Sequence, residues 1–220
     1  MIRGADIREI SDGKLYRSSD LVRLDTGGCA GCSTCCRDMG GKVVLDPYDV
    51  YRLNASAGYS FEGLLAGPAV LSVADGLVLP VLNMDGPDGA CRFLGEDGRC
   101  TVHPARPGIC RLFPLGRYYQ GDDFSYILQV GECEKAGAKV RIRQWLDTPE
   151  LPRYEAYIRS WHALTRKARE LADGGSDKLR TMISARILEV LYQHAWDLTD
   201  SFYPQYEAQE AEVKRRIGIL

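Results

Sequence analysis

Between residues 29 and 36 the chain reads Cys29-Ala-Gly-Cys32-Ser-Thr-Cys35-Cys36, four thiols in the order C-x2-C-x2-C-C. Two-residue gaps let a turning backbone aim successive sulfurs at one point, and both zinc sites and iron–sulfur sites use such spacing. Cys91, Cys100, Cys110 and Cys133 bring the total to eight, enough thiols for two four-coordinate centres. Neighbouring side chains on an extended chain point to opposite faces, so one tetrahedral centre has difficulty taking both Cys35 and Cys36. The expectation is that Cys29, Cys32 and Cys35 serve one centre, while Cys36 turns to a second or bridges two. The first three gaps match the opening of the ferredoxin run C-x2-C-x2-C-x3-C-P. The match stops there, because the next cysteine is adjacent and no proline follows it. That opening favours a [4Fe-4S] cubane over zinc, since structural zinc sites usually show paired C-x2-C knuckles at both ends and the later thiols here are widely spaced.

Thiol chemistry depends on compartment. Residues 1–10 mix charges among apolar positions and offer no apolar signal segment. No uninterrupted apolar run approaches bilayer length, and the weakly polar stretch 63–74 is broken by Gly67 and Pro68. A cytoplasmic location is expected, where thiols stay reduced and eight cysteines act as ligands rather than disulfides. With 28 basic and 30 acidic residues the net charge is −2, which gives no field for nucleic acid. The short run Lys214-Arg215-Arg216 reads as helix-end charge complementing the dipole. Neither nucleic acid nor a membrane is expected as a partner; an unidentified protein or redox partner is.

The elements that must position the thiols are short. The 220 residues, 45% of them apolar, suit one large domain or two small ones. Thr26-Gly27-Gly28 lets the chain bend into the first cysteine, and Gly40-Gly41 releases it after the last. Lys42 to Leu45 is a β-prone run. Asp46-Pro47 reads as an N-cap followed by proline at the first helical position, opening a helix to about Ala57, and Ser60 caps another short helix. Leu77 to Leu82 reads as a strand in which Pro80 suggests an edge. Cys91 to Leu94 and Arg99 to Val102 read as strands around a Gly95-Glu-Asp-Gly98 turn, which would bring Cys91 and Cys100 together. Gly116 to Tyr119 and Phe124 to Gln129 form a second expected hairpin, with Cys133 just after it. From Thr148-Pro149-Glu150 the period turns helical. One stripe runs through Tyr154, Tyr157, Ile158, Trp161, Leu164, Ala168 and Leu171. A second runs from Leu179 through Ile187 and His194 to Leu198, and a third helix spans Pro204 to about Ile217. The fold expected is α+β: an irregular, metal-nucleated cysteine-rich region with short β-hairpins over 1–146, then a helical C-terminal region over 147–220 packed on it as one unit.

The cysteine run, with Cys91, Cys100-Thr-Val-His-Pro-Ala-Arg-Pro-Gly-Ile-Cys110 and Cys110-Arg-Leu-Phe-Pro114, resembles the YkgJ, or CxxCxxCC, cysteine-cluster family of zinc- or iron-chelating, Fe–S-cluster-containing proteins. The resemblance covers about residues 25–135 and is most specific at Arg106-Pro107 and Cys110-Arg111-x-Phe113-Pro114. It implies metal binding through Cys29, Cys32, Cys35, Cys36, Cys91, Cys100 and Cys110, with Cys133 where relatives often carry a further cysteine. The family includes a larger flagellin lysine N-methylase, so the resemblance admits a methyltransferase-type enzyme. No methyl-donor site of that enzyme matches here, and no G-x-G-x-x-G loop follows a strand.

Beside the thiols, His103 is a lesser candidate ligand, and His162 and His194 read as ordinary helix residues. Arg106 and Arg111 have a better claim. A four-thiolate centre is negatively charged, and guanidinium groups just outside the ligands would stabilise it and tune a cluster's potential; the bland alternative is a structural salt bridge. Tyr118, Tyr119 and Tyr126 read as hairpin packing. Three function classes follow: an iron–sulfur protein with a redox or cluster-dependent role, a zinc-thiolate module that binds a partner, or a methyl-transfer enzyme. No residue is assigned a catalytic role.

Overall fold

Side-chain caps open three of the α-helices in the computed structural model, which describes residues 7–24, 33–37, 39, 41–131 and 137–219. In chain order the elements are α1 (Ile7–Ile10), β1 (Leu21–Arg23), a 3-10 turn (Thr34–Cys36), α2 (Pro47–Ala57), α3 (Phe61–Leu65), β2 (Ala69–Ala74) and β3 (Leu77–Leu82). Two more 3-10 turns (Pro87–Gly89 and His103–Ala105) precede α4 (Gly108–Leu112), β4 (Leu115–Gln120), β5 (Asp123–Leu128) and β6 (Lys139–Arg141). Then come α5 (Ile142–Leu146), α6 (Leu151–Asp173), α7 (Asp177–Leu191) and α8 (Phe202–Ile217). The strands form three antiparallel pairs, β1–β6, β2–β3 and β4–β5, so the α+β class holds. Among the described residues no helix is long and apolar enough to cross a membrane.

At α2 the Asp46 carboxylate accepts the Asp49 N–H at 2.9 Å and the Asp49 carboxylate accepts the Asp46 N–H at 3.1 Å, a reciprocal cap that spares two orphan donors. Gly58 closes the helix at φ 72°, a conformation that costs glycine little. Ser60 accepts the Gly63 N–H at 3.1 Å and starts α3 as expected. Helix α6 begins at Leu151, slightly later than Thr148-Pro149-Glu150 suggests. Glu150 is left-handed, at φ 48°, and its carbonyl takes the N–H groups of Arg153 and Tyr154. Pro152 then sits in the first turn, where a missing N–H costs nothing. Helix α7 stops at Leu191, so His194 and Leu198 lie beyond the helix they were expected to extend. The Gln193 N–H turns back to the Leu188 carbonyl at 2.9 Å, and the Trp196 ring stands edge-on to His194.

By its contacts the chain divides into two compact units, residues 1–32 with 108–160 and residues 33–107 with 161–220. In the first, β4 and β5 form the expected hairpin about Gly121, and Tyr16 adds a bridge by exchanging backbone bonds with Tyr126 at 2.8 and 2.9 Å. Arg111 on α4 is buried and caps the C-terminus of α5, donating to the Asp147 carbonyl at 3.0 Å.

In the second unit β3 is paired on both sides. Its far side meets the Lys42–Leu45 run, which makes one bridge rather than a strand. Leu45 N–H reaches the Pro80 carbonyl at 2.9 Å, Leu82 N–H reaches Val43 at 2.9 Å, and Val78 N–H reaches the Ser184 hydroxyl of α7 at 3.0 Å. In an antiparallel strand the N–H and C=O of one residue point the same way, so Val78, Pro80 and Leu82 face away from β2. The donor that Pro80 lacks is therefore missing from the far side, and the β2–β3 ladder is intact. Tyr192, buried beside Phe61 and Trp161, donates its hydroxyl to the Leu45 carbonyl at 2.8 Å. Tyr192→Phe leaves that buried carbonyl without its donor. It should lower stability by about 1–3 kcal/mol, seen as a lower urea midpoint at unchanged m-value.

Candidate metal centre

Cys35 and Cys36 lie on the Thr34–Cys36 turn, where Cys36 N–H bonds back to Ser33 at 2.9 Å. Successive side chains on such a turn are rotated by about 120°, not set on opposite faces. The Cys35 thiol is in fact hydrogen-bonded to that of Cys36. The extended-chain premise for sending the pair to separate centres therefore fails. Arg37 continues the turn into a bridge with Ala90, its guanidinium donating to Pro87 at 3.2 Å and to Ser33 at 3.4 Å. Between these contacts the Cys91 N–H donates to the Cys36 carbonyl at 2.8 Å and holds the two cysteine segments side by side.

Cys91 and Cys100 sit at the ends of a tight excursion rather than on two regular strands. Leu94 N–H returns to the Cys91 carbonyl at 2.8 Å, so the chain turns where a strand was expected. The Gly95–Gly98 turn remains, with Gly98 at φ 74°, and Leu94 pairs with Cys100 in a single bridge. Thr101 N–H closes on Phe93 at 2.8 Å. Phe93 is buried and meets the Tyr59 ring edge-on at 5.5 Å, which anchors the excursion beside α3. Arg52 of α2 donates to the Pro104 carbonyl at 2.7 Å and fixes the turn that carries His103 and Arg106.

The thiols feel one another. Cys35 is pushed well up, first by its hydrogen bond to Cys36, then by burial and the Cys36 charge, with Arg106 opposing. Burial raises Cys91, aided by Cys100, against the Phe93 N–H that points at its sulfur from 3.5 Å. Burial also raises Cys100, aided by Cys35, against the Val102 N–H and Arg106. Electrostatic coupling thus runs through four thiols of one unit, from Cys36 to Cys35, from Cys35 to Cys100 and from Cys100 to Cys91, with the Arg106 guanidinium acting on Cys35 and Cys100. Arg106 lies against the exposed His103 ring, and its Nε is buried with no hydrogen-bond partner among the described residues.

This donor set suits a thiolate-held metal. Ionised sulfurs would give Arg106 a counter-charge, and the Phe93 and Val102 N–H groups already point at sulfur. Among the described residues no three His, Cys, Asp or Glu side chains form a closed metal-holding group. Cys29, Cys32 and Cys133 lie outside the described residues. Cys110 is half-buried on α4 in the first unit, where the neighbouring Arg111 is engaged with α5. That engagement is the structural role weighed against a metal-tuning one. His162 is buried on α6, and Tyr126 donates to Glu155 at 2.9 Å within the hairpin packing. Sequence reasoning missed Arg37, whose one signal is its place directly after Cys36, and the two backbone donors, which have none.

Residues 28–134 match the CxxCxxCC family model, described as "Putative zinc- or iron-chelating domain". No curated protein and no solved structure matches the chain. The matched stretch contains all eight cysteines together with Arg106 and Arg111, and metal binding is the property that the family description carries. Residues 28–134, just under half of the chain, are thus similar to the CxxCxxCC family of zinc- or iron-chelating domains.

Proposed function

We propose that the domain holds an iron–sulfur cluster, a [4Fe-4S] cubane, on cysteine thiolates and serves a redox or cluster-dependent role. The observation that carries the proposal is the 2.8 Å bond from Cys91 to Cys36, which sets the Cys35-Cys36 turn against the Cys91–Cys100 excursion. The C-x2-C-x2-C opening supports iron over zinc. Such a cluster supplies one-electron chemistry, at a potential set by its surroundings. Here Arg106 and the N–H groups of Phe93 and Val102 would offset the charge on sulfur, and the buried Cys91 would keep water from one side.

One observation favours a second reading, a zinc-thiolate module. Tetrahedral zinc with Zn–S bonds of about 2.3 Å holds its sulfurs about 3.8 Å apart. The hydrogen-bonded thiols of Cys35 and Cys36 suit that separation.

Cys35→Ser and Cys36→Ser should each remove the metal from anaerobically purified protein, read by iron and zinc content beside circular dichroism. A Cys36→Ser protein that keeps its full metal contradicts a shared centre. For the metal-free protein, the raised thiols of Cys35, Cys91 and Cys100 set a pH dependence. The unfolded chain ionises first, near the ordinary thiol value of 9.0, so their contribution to stability is complete below that pH and is lost as pH rises further. The urea midpoint of metal-free protein should fall on the alkaline side. Metal-loaded protein should behave oppositely and release metal on acidification, because protons compete for the thiolates.

A further inference from the structure

The Thr34–Cys36 turn is short, and Ser33 at its start supplies no side-chain cap. Its backbone closures are the Cys36 N–H to the Ser33 carbonyl at 2.9 Å and the Arg37 N–H to the Thr34 carbonyl at 3.2 Å. A single 3-10 turn has poor hydrogen-bond geometry and does not persist alone. Contacts from outside the turn must therefore keep Cys35 and Cys36 in a fixed orientation. Arg37 stands at its exit, where the backbone opens to φ −131° and ψ 149° and pairs with Ala90. Its side chain donates in two directions. Nε reaches back to the Ser33 hydroxyl at 3.4 Å, and Nη1 reaches across to the Pro87 carbonyl at 3.2 Å, with the Asp88 carboxylate at 4.0 Å. Ser33 precedes the vicinal thiols, and Pro87 opens the 3-10 turn that leads towards Cys91. One guanidinium thus ties the start of one cysteine segment to the start of the other, and the backbone bond from Cys91 to Cys36 joins the same two segments.

We propose that Arg37 is a positioning residue of the metal centre, bracing the Cys35-Cys36 turn against the Cys91 segment through its fork of donors; this rests on the reading that thiolates of this unit hold the metal. A metal that meets unordered ligands loses affinity to the entropy of ordering them, and a braced turn carries that order beforehand. Arginine suits the task because its planar guanidinium holds several donors in fixed directions. A lysine ammonium is a point charge on a flexible stem and cannot span the same two acceptors. Both acceptors, the Ser33 hydroxyl and the Pro87 carbonyl, are neutral, so the brace works by direction. The Asp88 side chain is 93% exposed, and at 4.0 Å its charge adds little. Arg106, by contrast, is the arginine whose charge acts on Cys35 and Cys100. The two residues divide the work: Arg106 offsets charge on sulfur, and Arg37 sets where two of the sulfurs stand.

Cobalt(II) loading of the full chain without oxygen tests this, because cobalt accepts thiolate ligands whether the native metal is zinc or iron, and its sulfur-to-metal absorption band reports them. Affinity is read by competition with EDTA. Arg37→Gln and Arg37→Lys should each bind cobalt about 10-fold more weakly than wild type, the scale of loss when an outer partner of a metal ligand is removed. The urea midpoint of the metal-free variants should stay at the wild-type value. Ser33→Ala removes one acceptor and keeps the arginine, and should weaken binding by a smaller factor. Arg92→Ala removes an equal charge next to Cys91, where the guanidinium is bonded to the Asp85 carboxylate at 3.0 Å, and should bind as wild type does. Wild-type affinity in both Arg37 variants overturns the inference. So does wild-type affinity in Arg37→Lys alone, which would assign the effect to charge, or a metal-free urea midpoint that falls in both, which would make Arg37 a residue of general stability. A wild type that shows no thiolate band with cobalt contradicts the thiolate centre itself, and the role of Arg37 with it.

Discussion

The hydrogen bond from the Cys91 N–H to the Cys36 carbonyl is the contact on which the site depends. It joins a vicinal thiol pair to a segment more than fifty residues later and aligns the two turns that carry four of the sulfurs. Each neighbouring feature keeps that bond in place. Arg37 clamps the chain on both sides of it, through Pro87 and Ser33. Phe93 and Tyr59 anchor the Cys91 excursion, and Arg52 holds the turn leading to Arg106. Strand β3 is secured in turn by the Leu45 run, Ser184 and β2. The helices of this unit thus form the frame that lets irregular backbone hold a fixed shape.

Bringing thiols together under cover has an electrostatic cost. Burial and mutual proximity favour the protonated form at Cys35, Cys91 and Cys100, while Arg106 and two backbone N–H groups favour the thiolate. Neither side is satisfied among the described residues: the thiols resist ionising and Arg106 Nε has no hydrogen-bond partner there. A cation shared among the sulfurs relieves both at once, which is the physical sense in which such a site is built around its metal.

How much of this was legible in the sequence varied with the range of the interactions involved. Helices α2 and α3 could be read because Asp46, Pro47 and Ser60 act on residues three or four positions away. The bounds of β3 and the β4–β5 turn at Gly121 were legible for the same reason. Strand β2 was not legible: Gly67 and Pro68 mark the break before it, but Ala69-Val-Leu-Ser-Val-Ala74 has no regular apolar–polar alternation to mark the strand itself. The approach of Cys91 to Cys100 was expected from the Gly95–Gly98 turn, but the Leu94 N–H bonds locally to the Cys91 carbonyl and makes a turn where a strand was expected. The Cys35–Cys36 contact was missed because it follows from a 3-10 turn that no propensity announces. The Tyr192–Leu45 bond and the engagement of Arg111 with α5 are long-range pairings, and single residues do not advertise them.

The most direct test of the central claim is the metal and acid-labile sulfide content of the anaerobically purified protein, taken with its visible absorption spectrum. An iron–sulfur cluster on these thiolates predicts iron and sulfide in equal amounts and a brown, oxygen-labile chromophore. Colourless protein holding zinc without sulfide would contradict the cluster and leave a thiolate-zinc module. Folded protein with neither metal would contradict the thiolate centre itself.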